Sequence, residues 1–568
     1  MSFFALPASL EADIGRFADA VRAYEHGSMT PESFRLVRVS FGIYEQRTKG
    51  TFMVRVRCTG GGITPGQIRA VAGIAAEHSA GPLHLTTRQE LQIHSVPLGR
   101  LAETVRAVHA AGLATRGGGG DGVRNIVVPW DSGIAVDETF DVMPFAVSLM
   151  NRLGASEDSW RLPRKLKMAF AGSGRGMAEV RCTDLGFVAR RGKGGLGFAV
   201  YVAGGMGRSP QVASLLHEFV PAREVYVVAE AVKRLFAAHG NRTDRSKARL
   251  RFLWNELGRE RVIGLYTAQF EELKAGSGWE LEPAPLPSHA GAEPAGVEGT
   301  STAQGFDTWC RRFVSLQRQP GLHSVLLPVS RGELAIGTAR ELAAFLEPFG
   351  DDVVRCTPEQ NLALRNIPAG ALPQVHAMAL RLFPLSAHPR VAGMCIACTG
   401  AATCALGLCR APDALGAIEQ RLCSLGTELD ACPDLRLALS GCANACGRHL
   451  MADLGFSGVV GRNDGAPYPA YGVFAGALFT NGDARLAEKV GEIPARDVPG
   501  LAVDVVLGYA RTGACTGFAA YVTGPGRDRL KAACASRSKL PTVDQDPVFY
   551  IDGEAGIPFL SQRSGNER

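Results

Sequence analysis

The stretch "LHLTTRQELQIHSVPLG", residues 83–99, is repeated with changes as "VRCTPEQNLALRNIPAG", residues 354–370. The two copies align without a gap at an offset of 271 positions. The pairs matched at this offset are Thr86/Thr357, Gln89/Gln360, Leu91/Leu362, Ile93/Leu364, Val96/Ile367 and Pro97/Pro368. Apolar and polar residues alternate in both copies, which predicts a half-buried β-strand in each. An internal duplication explains this register better than chance does.

The same offset extends backwards into a second kind of element. Residues 68–79, "IRAVAGIAAEHS", align with residues 339–350, "ARELAAFLEPFG", and both have the apolar spacing of an amphipathic helix. Each copy therefore predicts a strand, a helix and a strand. We expect two related α+β half-domains with an internal pseudo-two-fold relationship.

A segment rich in Pro, Ala, Gly and Ser, residues 281–304, separates the copies and predicts an exposed linker. Domain boundaries near residues 135, 305 and 386 follow from this linker and from the repeat. The predicted units are 1–135, an N-terminal arm with the first half-domain; 136–280, a mixed α/β domain; 281–304, the linker; 305–385, the second half-domain; 386–538, a second, cysteine-rich α/β domain; and 539–568, a C-terminal tail.

The string GKGGLG, Gly192 to Gly197, matches the dinucleotide-binding fingerprint G-x-G-x-x-G. That fingerprint needs a strand before it and a helix after it. Here the alternating segment "FAVYVAG" follows, which favours a second strand. We therefore predict a β-hairpin at this position and no nicotinamide site.

Composition limits the class of protein. The 568 residues, 46% hydrophobic and 20% charged, suffice for several domains with buried cores. A net charge of +6 is a mild excess that suits anionic substrates or an acidic partner better than nucleic acid. No apolar run approaches the roughly 18 residues of a membrane helix, and the first residues do not resemble a secretory signal. We expect a cytoplasmic protein that binds neither nucleic acid nor membrane.

Four of the 14 cysteines have a distinctive spacing. Cys398 and Cys404 form C-x5-C, and Cys442 and Cys446 form C-x3-C, with 37 residues between the two motifs. Four thiolates from two segments can hold a [4Fe-4S] cluster, and the small residues around them leave room for it. The alternatives are a structural zinc site, which usually has tighter C-x2-C motifs, and inert buried thiols.

Four further cysteines lie in the same stretch, namely Cys395, Cys409, Cys423 and Cys432. They have no ligand-like spacing, and we interpret them as inert. In a reducing compartment, the cysteines of such a chain are free thiols or metal ligands rather than disulfides.

The chain resembles the haemoprotein family of sulfite and nitrite reductases, in which a sirohaem is coupled to a [4Fe-4S] cluster. The motifs that carry this resemblance are "GIYEQR" (42–47), "RVRCTGGGIT" (55–64), "LTTRQELQIH" (85–94), "VRNIV" (123–127), "LPRKLK" (162–167), "GNRTDR" (240–245) and "SGCANACGR" (440–448). The resemblance implies that Cys398, Cys404, Cys442 and Cys446 bind the cluster. It also implies that Cys446 bridges the cluster to the sirohaem iron.

The resemblance implies a fold as well. We expect an α+β protein built from duplicated ferredoxin-like half-domains and two mixed α/β domains of the type that binds sirohaem and cluster. Together they would form a three-domain body with an internal pseudo-two-fold repeat.

By the same resemblance, Arg55, Arg124, Lys165 and Lys167 would face the substrate. The residues implied to lie nearer the sirohaem are Arg88, Gln92, His94, Asn444 and Cys446. Sirohaem carries many carboxylates and the substrate is an oxyanion, so a cluster of cations is expected around both.

The spacing of the basic residues agrees with such a site. Arg55 and Arg57 alternate along a strand and would share one face, as would Lys165 and Lys167. Taken alone, an alternating basic strand is more often a solvated face. For His94, a hydrogen-bonded structural role is the alternative.

These residues favour the six-electron reduction of sulfite to sulfide, because Lys167 supplies a second ammonium for a dianion. Reduction of nitrite to ammonia at the same site is the alternative, as are a precorrin-3B synthase-like enzyme and a non-enzymatic carrier or zinc protein. No flavin or nicotinamide domain is evident, so electrons would come from a ferredoxin or a flavoprotein subunit.

Overall fold

The computed structural model describes residues 3–79, 81–287, 304–513, 517–537, 539–552 and 559. Helices and sheets are mixed throughout these ranges. One apolar core runs through both half-domains and the first α/β domain, and a second core fills the cysteine-rich domain.

The first half-domain follows two N-terminal helices. Its elements are α1 (Leu10–Glu25), α2 (Pro31–Ser40), β1 (Ile43–Glu45), β2 (Thr51–Val56), α3 (Pro65–His78), β3 (Leu83–Leu85), β4 (Leu91–Pro97) and α4 (Leu101–Ala110). The strands form an antiparallel sheet in the order β1-β2-β4-β3. Thr64 begins α3 with a capping box, in which its hydroxyl accepts from the Gln67 N–H. The predicted repeat helix therefore lies where its apolar spacing placed it.

The first α/β domain is built on a five-stranded sheet. Its elements are β5 (Val123–Val127), α5 (Met143–Gly154), β6 (Leu166–Ala171), α6 (Met177–Arg181), β7 (Leu185–Gly192), β8 (Gly195–Val202), β9 (Ser214–Pro221), α7 (Val225–His239), α8 (Leu250–Leu257) and α9 (Arg259–Ala275). Strands β5, β6 and β7 are parallel, whereas β8 and β9 are antiparallel additions. Gly192 pairs with Gly195 in the β7–β8 turn, so GKGGLG is a hairpin as predicted.

The second half-domain repeats the first. Its elements are α10 (Phe306–Phe313), β10 (Val314–Leu316), β11 (Leu322–Leu327), β12 (Glu333–Leu334), α11 (Ile336–Leu346), β13 (Val354–Cys356), β14 (Leu362–Pro368) and α12 (Leu372–Leu382). The antiparallel order β10-β11-β14-β13 matches β1-β2-β4-β3.

The cysteine-rich domain repeats the first α/β domain. Its elements are α13 (Arg390–Gly393), β15 (Ile396–Ala397), α14 (Gly400–Thr403), α15 (Ala411–Cys423), β16 (Leu437–Ser440), β17 (Leu454–Asn463), β18 (Ala466–Ala475), β19 (Leu478–Phe479), β20 (Ala484–Arg485), β21 (Glu488–Pro494), α16 (Val498–Ala510), α17 (Phe518–Thr523) and α18 (Pro525–Ala535). Strands β15, β16 and β17 are parallel, and β18 and β21 are antiparallel, as in the first domain. The duplication therefore covers both kinds of domain.

The two half-domains join through a pair of matching contacts. Gly62 pairs with Arg355, and Glu333 of β12 pairs with His84 of β3. At the repeat offset of 271 positions, Gly62 corresponds to Glu333 and His84 corresponds to Arg355. The two contacts are therefore the same contact made with the copies exchanged. Such reciprocity is the signature of a pseudo-two-fold axis.

Two glutamines reinforce the same junction. Gln89 Nε2 donates to the carbonyl of Cys356, and Gln360 Nε2 donates to the carbonyl of Leu85, each at 2.9 Å. Both glutamines have the left-handed backbone conformation, with φ of 59° and 61°. In each copy, a glutamine amide in a tight turn thus donates a hydrogen bond to the other copy. This pair of hydrogen bonds fixes the relative placement of the copies.

Two predicted segments differ from expectation or fall partly outside the description. The predicted linker begins as packed chain, because Leu281 is buried and its N–H donates to Arg223 O at 2.7 Å. Its remainder, from 288 to 303, lies outside the described residues. The described part of the C-terminal tail packs on the cysteine-rich domain, with the ring centroids of Phe549 and Tyr468 4.9 Å apart.

Candidate functional site

The four spaced cysteines come together at one edge of a sheet. Cys398 and Cys404 follow β15, and Cys442 and Cys446 follow β16, the parallel neighbour of β15. Because the carboxyl ends of parallel strands share an edge, the two loops meet there. The Gly441 N–H donates to Cys398 Sγ at 3.1 Å, which joins the two motifs directly.

The thiols of this group act on one another. Burial, followed by the charge of Cys446, raises the pKa of Cys398 to about 12. Burial and then Cys446 raise the pKa of Cys442 to about 11, and Cys404 acts in the same direction. Hydrogen bonds from the backbone and side chain of Asn444 oppose that rise at Cys442. The site therefore needs a positive centre, such as iron, to hold these sulfurs as thiolates.

A single metal ion and an iron–sulfur cluster require different arrangements of their ligands. Within the described ranges, no three His, Cys, Asp or Glu side chains converge where one metal ion would be bound. A [4Fe-4S] cluster holds its cysteine ligands apart across an iron–sulfur cube, whereas the ligands of one zinc ion converge. The four cysteines lie on two adjacent loops, which is the arrangement that a [4Fe-4S] cluster needs from its ligands.

Two glycines allow the cysteine loops to pack closely. A Cβ on Gly447 would lie 1.8 Å from Leu439 O, and a Cβ on Gly441 would lie 2.6 Å from Cys409 O. Any side chain at either position would push the loops apart. The small residues noted in the sequence are thus required by the approach of two backbones.

The remaining cysteines of this region have structural surroundings. Cys395 Sγ donates to Val391 O at 3.3 Å, and Cys409 Sγ donates to Ala470 O at 3.4 Å. Cys432 Sγ donates to Leu429 O at 3.6 Å. These thiols are bonded to backbone carbonyls, in agreement with the inert interpretation.

Arg47 holds the first cysteine loop, and sequence reasoning did not select it as a site residue. Its N–H donates to Thr403 O at 2.9 Å, and its guanidinium donates to Cys404 O at 3.3 Å and Gly407 O at 3.1 Å. The only sequence signal was its place at the end of "GIYEQR". The first half-domain therefore positions the loop of the last domain.

The second cysteine loop is held in the same way. Thr87 Oγ1 donates to Cys446 O at 2.9 Å, and Arg448 donates to Pro358 O at 3.0 Å. Cys446 is exposed, whereas the other three candidate ligands are half-buried. Its thiol is thus accessible to a second group outside the cluster.

Arg55 and Arg124 lie beside this edge. Arg55, on β2, pairs in register with Gln92 of β4 and lies 3.4 Å from a Glu90 carboxylate oxygen. Arg124, on β5, donates to Gly118 O at 2.9 Å and to Gly120 O at 2.7 Å. Their Nε atoms are buried, and no hydrogen-bond partner exists for them among the described residues.

Lys167 lies on β6 and Lys165 immediately precedes that strand, and the charge of Lys165 acts on Lys167. Burial, then the charge of Arg124, holds the pKa of Lys165 well below its usual value. Burial, then Arg88, does the same to the pKa of Lys167. The sulfur of Cys446 acts in the opposite direction on both lysines. The side-chain nitrogens of Lys165 and Lys167 therefore lie near the exposed sulfur of Cys446.

No acid neutralises this lysine pair within the part of the chain that the structure describes. The carboxylate of Asp184, which accepts from the Lys167 backbone N–H at 2.8 Å, is engaged by Arg249 at 2.8 Å. An anion of another molecule would therefore lower the energy of the pair.

The structure separates Arg57 from this group, although alternation predicted a shared face with Arg55. Strand β2 ends at Val56, and Arg57 is buried with its guanidinium 5.3 Å from the ring of Phe4. It donates to Arg116 O at 2.8 Å. Arg57 therefore packs on the N-terminal arm, and its guanidinium is engaged by Phe4 and the Arg116 carbonyl.

Arg88, Gln92 and His94 lie close to the cations described above. Gln92 pairs with Arg55, the charge of Arg55 acts on His94, and the charge of Arg88 acts on Lys167. Burial lowers the pKa of Arg88 to about 10. Gln92 Oε1 lies 3.1 Å from His94 Nε2, and Gln46 Nε2 lies 3.0 Å from His94 Nδ1. Burial, then the charge of Arg55, lowers the pKa of His94 to about 4, so its imidazole is neutral. The imidazole of His94 is thus held between the side chains of Gln46 and Gln92.

Tyr44 is a second residue that sequence reasoning missed. Its hydroxyl accepts from the Gly120 N–H at 3.2 Å. Burial alone would raise the pKa of Tyr44, but Arg124, Arg55 and hydrogen bonds to the hydroxyl lower it overall. The phenol thus anchors the glycine loop that also binds Arg124.

This arrangement fits a tetrapyrrole carboxylate and an oxyanion. Unpartnered guanidinium nitrogens and lysines without acids are what a negatively charged ligand would satisfy. The exposed thiol of Cys446 lies at the junction of the cysteine group and the cations.

Comparison with known proteins identifies the class. The family model for the nitrite and sulphite reductase 4Fe-4S domain matches residues 119–273. The model for the nitrite/sulfite reductase ferredoxin-like half domain matches twice, at residues 44–111 and 315–382. The candidate cluster cysteines lie outside these matches, in the second domain with the same strand order.

Several curated proteins are similar over most of their length. An assimilatory ferredoxin-dependent nitrite reductase of Haloferax mediterranei is 29% identical, with 96% of each chain covered. A ferredoxin–nitrite reductase of Synechococcus elongatus is 33% identical over 78% of this chain and 83% of that protein. A sulfite reductase [ferredoxin] of Mycolicibacterium paratuberculosis is 28% identical over 75% and 73%.

A solved structure supports the fold. The Mycobacterium tuberculosis NirA protein superimposes with a TM-score of 0.73 and 22% identity, over 92% of this chain and 98% of that one. The fold and these similarities define an oxidoreductase with ferredoxin-like half-domains. The chain belongs to the nitrite and sulfite reductase family, and its cofactors are a sirohaem and a [4Fe-4S] cluster. Among its described helices, none has the length and apolar character needed to cross a bilayer.

Proposed function

We propose that this protein reduces sulfite to sulfide. The observation that carries the proposal is the adjacent pair Lys165 and Lys167, which lacks an acid partner among the described residues. Fully ionised sulfite is a dianion, and two ammonium groups compensate its charge more fully than one would. A burial that lowers the lysine pKa values also makes the lysines more ready to release protons.

Arg55 and Arg124 bind substrate oxygens in this proposal. Their guanidinium groups keep donors that the described protein does not use, and their positions are fixed by Glu90 and by the glycine loop. Preorganised donors of this kind stabilise charge that develops as oxygen leaves. Lys165 and Lys167 donate protons to the departing oxygens. A lysine ammonium can release a proton, whereas an arginine guanidinium keeps its protons because its pKa is too high.

The cofactors would be held by residues from three domains. Cys398, Cys404, Cys442 and Cys446 would bind the cluster, and Cys446 would also bind the sirohaem iron. The residues proposed to contact the sirohaem are Arg88, Gln92, His94 and Asn444. When bound, the sirohaem and the cluster supply the substrate-binding metal and the electrons. The chain supplies orientation, positive charge and protons.

The electron donor in this proposal is a ferredoxin, with a flavoprotein subunit as the alternative. The names of the Haloferax and Synechococcus proteins state a ferredoxin donor for those enzymes. The mild positive charge of this chain suits an acidic donor protein. A cytoplasmic location, without nucleic acid or membrane, is part of the same proposal.

Nitrite reduction to ammonia is the second candidate. It is favoured by the names of the Haloferax and Synechococcus relatives, whereas the Mycolicibacterium relative is named for sulfite. The precorrin-3B synthase alternative receives no such support from these relatives.

Steady-state assays with one reduced donor test the proposal. Purified holoenzyme is supplied with sulfite or nitrite, and sulfide and ammonia are measured alongside sirohaem content. We expect a larger kcat/KM for sulfite. A much larger kcat/KM for nitrite would make nitrite the substrate in place of sulfite. Absence of both products would reject a reductase role for the purified protein.

A further inference from the structure

Tyr471 lies beneath the cysteine loops and has no assigned role. It is on β18, its side chain is 1% exposed, and its hydroxyl has no hydrogen-bond partner in the described part of the protein. A buried hydroxyl without a partner is costly, because water no longer satisfies it.

The pairing of β17 with β18 directs this side chain. Tyr471 lies opposite Gly458, so both residues project from the same face of the sheet. A Cβ on Gly458 would meet Gly441 O at 2.5 Å and Cys409 Cβ at 3.0 Å. The N–H of the same Gly441 donates to Cys398 Sγ at 3.1 Å. The phenol of Tyr471 therefore lies on the side of the sheet that supports the Cys398 ligand.

The surroundings keep the phenol protonated. Burial, followed by Cys409, Asp552 and Cys398, raises the pKa of Tyr471 well above its usual value. A neutral phenol has one strong O–H donor. The groups that act on the phenol are Cys409, the Asp552 carboxylate and Cys398, so the sulfur of the proposed Cys398 ligand is among the acceptors in its surroundings.

We propose that the Tyr471 hydroxyl donates a hydrogen bond to sulfur on the Cys398 side of the [4Fe-4S] cluster and thereby raises the cluster's reduction potential. The proposal rests on the cysteine ligation proposed above. A donor to cluster sulfur stabilises the more negative, reduced state more than the oxidised state. Tyr471 is then a tuning residue for electron entry, not a group that touches the substrate.

Replacement by phenylalanine tests this role. Tyr471→Phe removes only the hydroxyl, and EPR-monitored redox titration of the holoenzyme measures the cluster potential. We expect the equilibrium constant for cluster reduction to fall by up to tenfold, which is about 59 mV for one electron. The matched control is Tyr468→Phe on the same strand, because Tyr468 packs against Phe549 of the tail instead. We expect no shift in the control.

A second replacement gives the opposite sign. Site-specific 3-fluorotyrosine at position 471 keeps the shape but strengthens the donor, so the potential should rise. Opposite shifts in the two variants would establish the hydrogen bond. An unchanged potential in either variant, with cluster content equal to wild type, overturns it and leaves the cysteine ligation intact. Should phenylalanine prevent cluster assembly, the fluorotyrosine titration decides alone. A wild-type holoenzyme without a cluster signal would reject both the ligation and this inference.

Discussion

Thr87 Oγ1 donates a hydrogen bond to Cys446 O, 2.9 Å away, although 359 positions separate the two residues. Thr87 lies in the turn between β3 and β4, next to Arg88, and Cys446 lies in the loop after β16. This contact brings a basic residue of the first half-domain beside a proposed cluster ligand of the last domain. The candidate site is therefore a product of domain association.

Cys446→Ser should disturb both cofactors at once, because one exposed thiol is proposed to serve both. We expect loss of the sirohaem absorption band together with loss of the cluster EPR signal. Cys423→Ser is the control, since Cys423 is half-buried and outside the ligand motifs. A Cys446→Ser protein that retained a full cluster coupled to its haem would refute the bridging assignment.

Lys167→Asn should reduce sulfite turnover more than nitrite turnover, because an amide replaces a full positive charge. We expect the ratio of kcat/KM for sulfite over nitrite to fall by at least about tenfold, or roughly 1.4 kcal/mol. Both substrates are assayed with one donor, and activities are normalised to sirohaem content. Lys193→Asn, in the exposed β7–β8 turn, is the control. An unchanged ratio would mean that Lys167 does not select the substrate.

Arg47→Ala should make the cluster more labile, since the carbonyls of Cys404 and Gly407 lose their guanidinium donor. A hydrogen bond from a charged donor is worth about 1.5–3 kcal/mol, so iron loss to a chelator should be at least about fivefold faster. Lys49→Ala changes an exposed residue of the same turn and should leave the rate unchanged. Equal rates in the two variants would show that Arg47 does not stabilise the loop.

Glu419 should make stability depend on pH. Burial raises its pKa to about 7, although hydrogen bonds from Ser330 Oγ at 2.6 Å and the Arg331 N–H at 3.3 Å oppose the rise. The folded state therefore binds the proton more tightly than the unfolded state, whose pKa is near 4.5. Its contribution to stability is complete below pH 4.5 and is lost as pH rises through 7.

Glu419→Gln, which stays neutral, should remove this loss. We expect it to gain about 1–3 kcal/mol relative to wild type between pH 5 and pH 8, measured by thermal unfolding across that range. Glu256→Gln alters an exposed helix residue and should follow the wild-type curve. Parallel curves for Glu419→Gln and wild type would exclude Glu419 as the titrating group.

The sequence by itself determined the duplication, the α+β class and the cysteine group. The register of 271 positions is visible because matched strands and helices keep their local apolar spacing, as the Gln89 and Gln360 contacts confirm. The cysteine motifs are equally local, since neighbouring ligands must lie within one loop.

Only the tertiary structure decided which cations and donors share the site. Arg57 has the same spacing as a substrate ligand, yet the end of β2 and the N-terminal arm remove it from the group. Arg47 and Tyr44 lie in the "GIYEQR" motif and Tyr471 lies in no motif, but all three matter because distant segments fold against them. Spacing along a chain fixes which side chains share a face, but burial and partners depend on what packs against that face, and only the folded domains determine that.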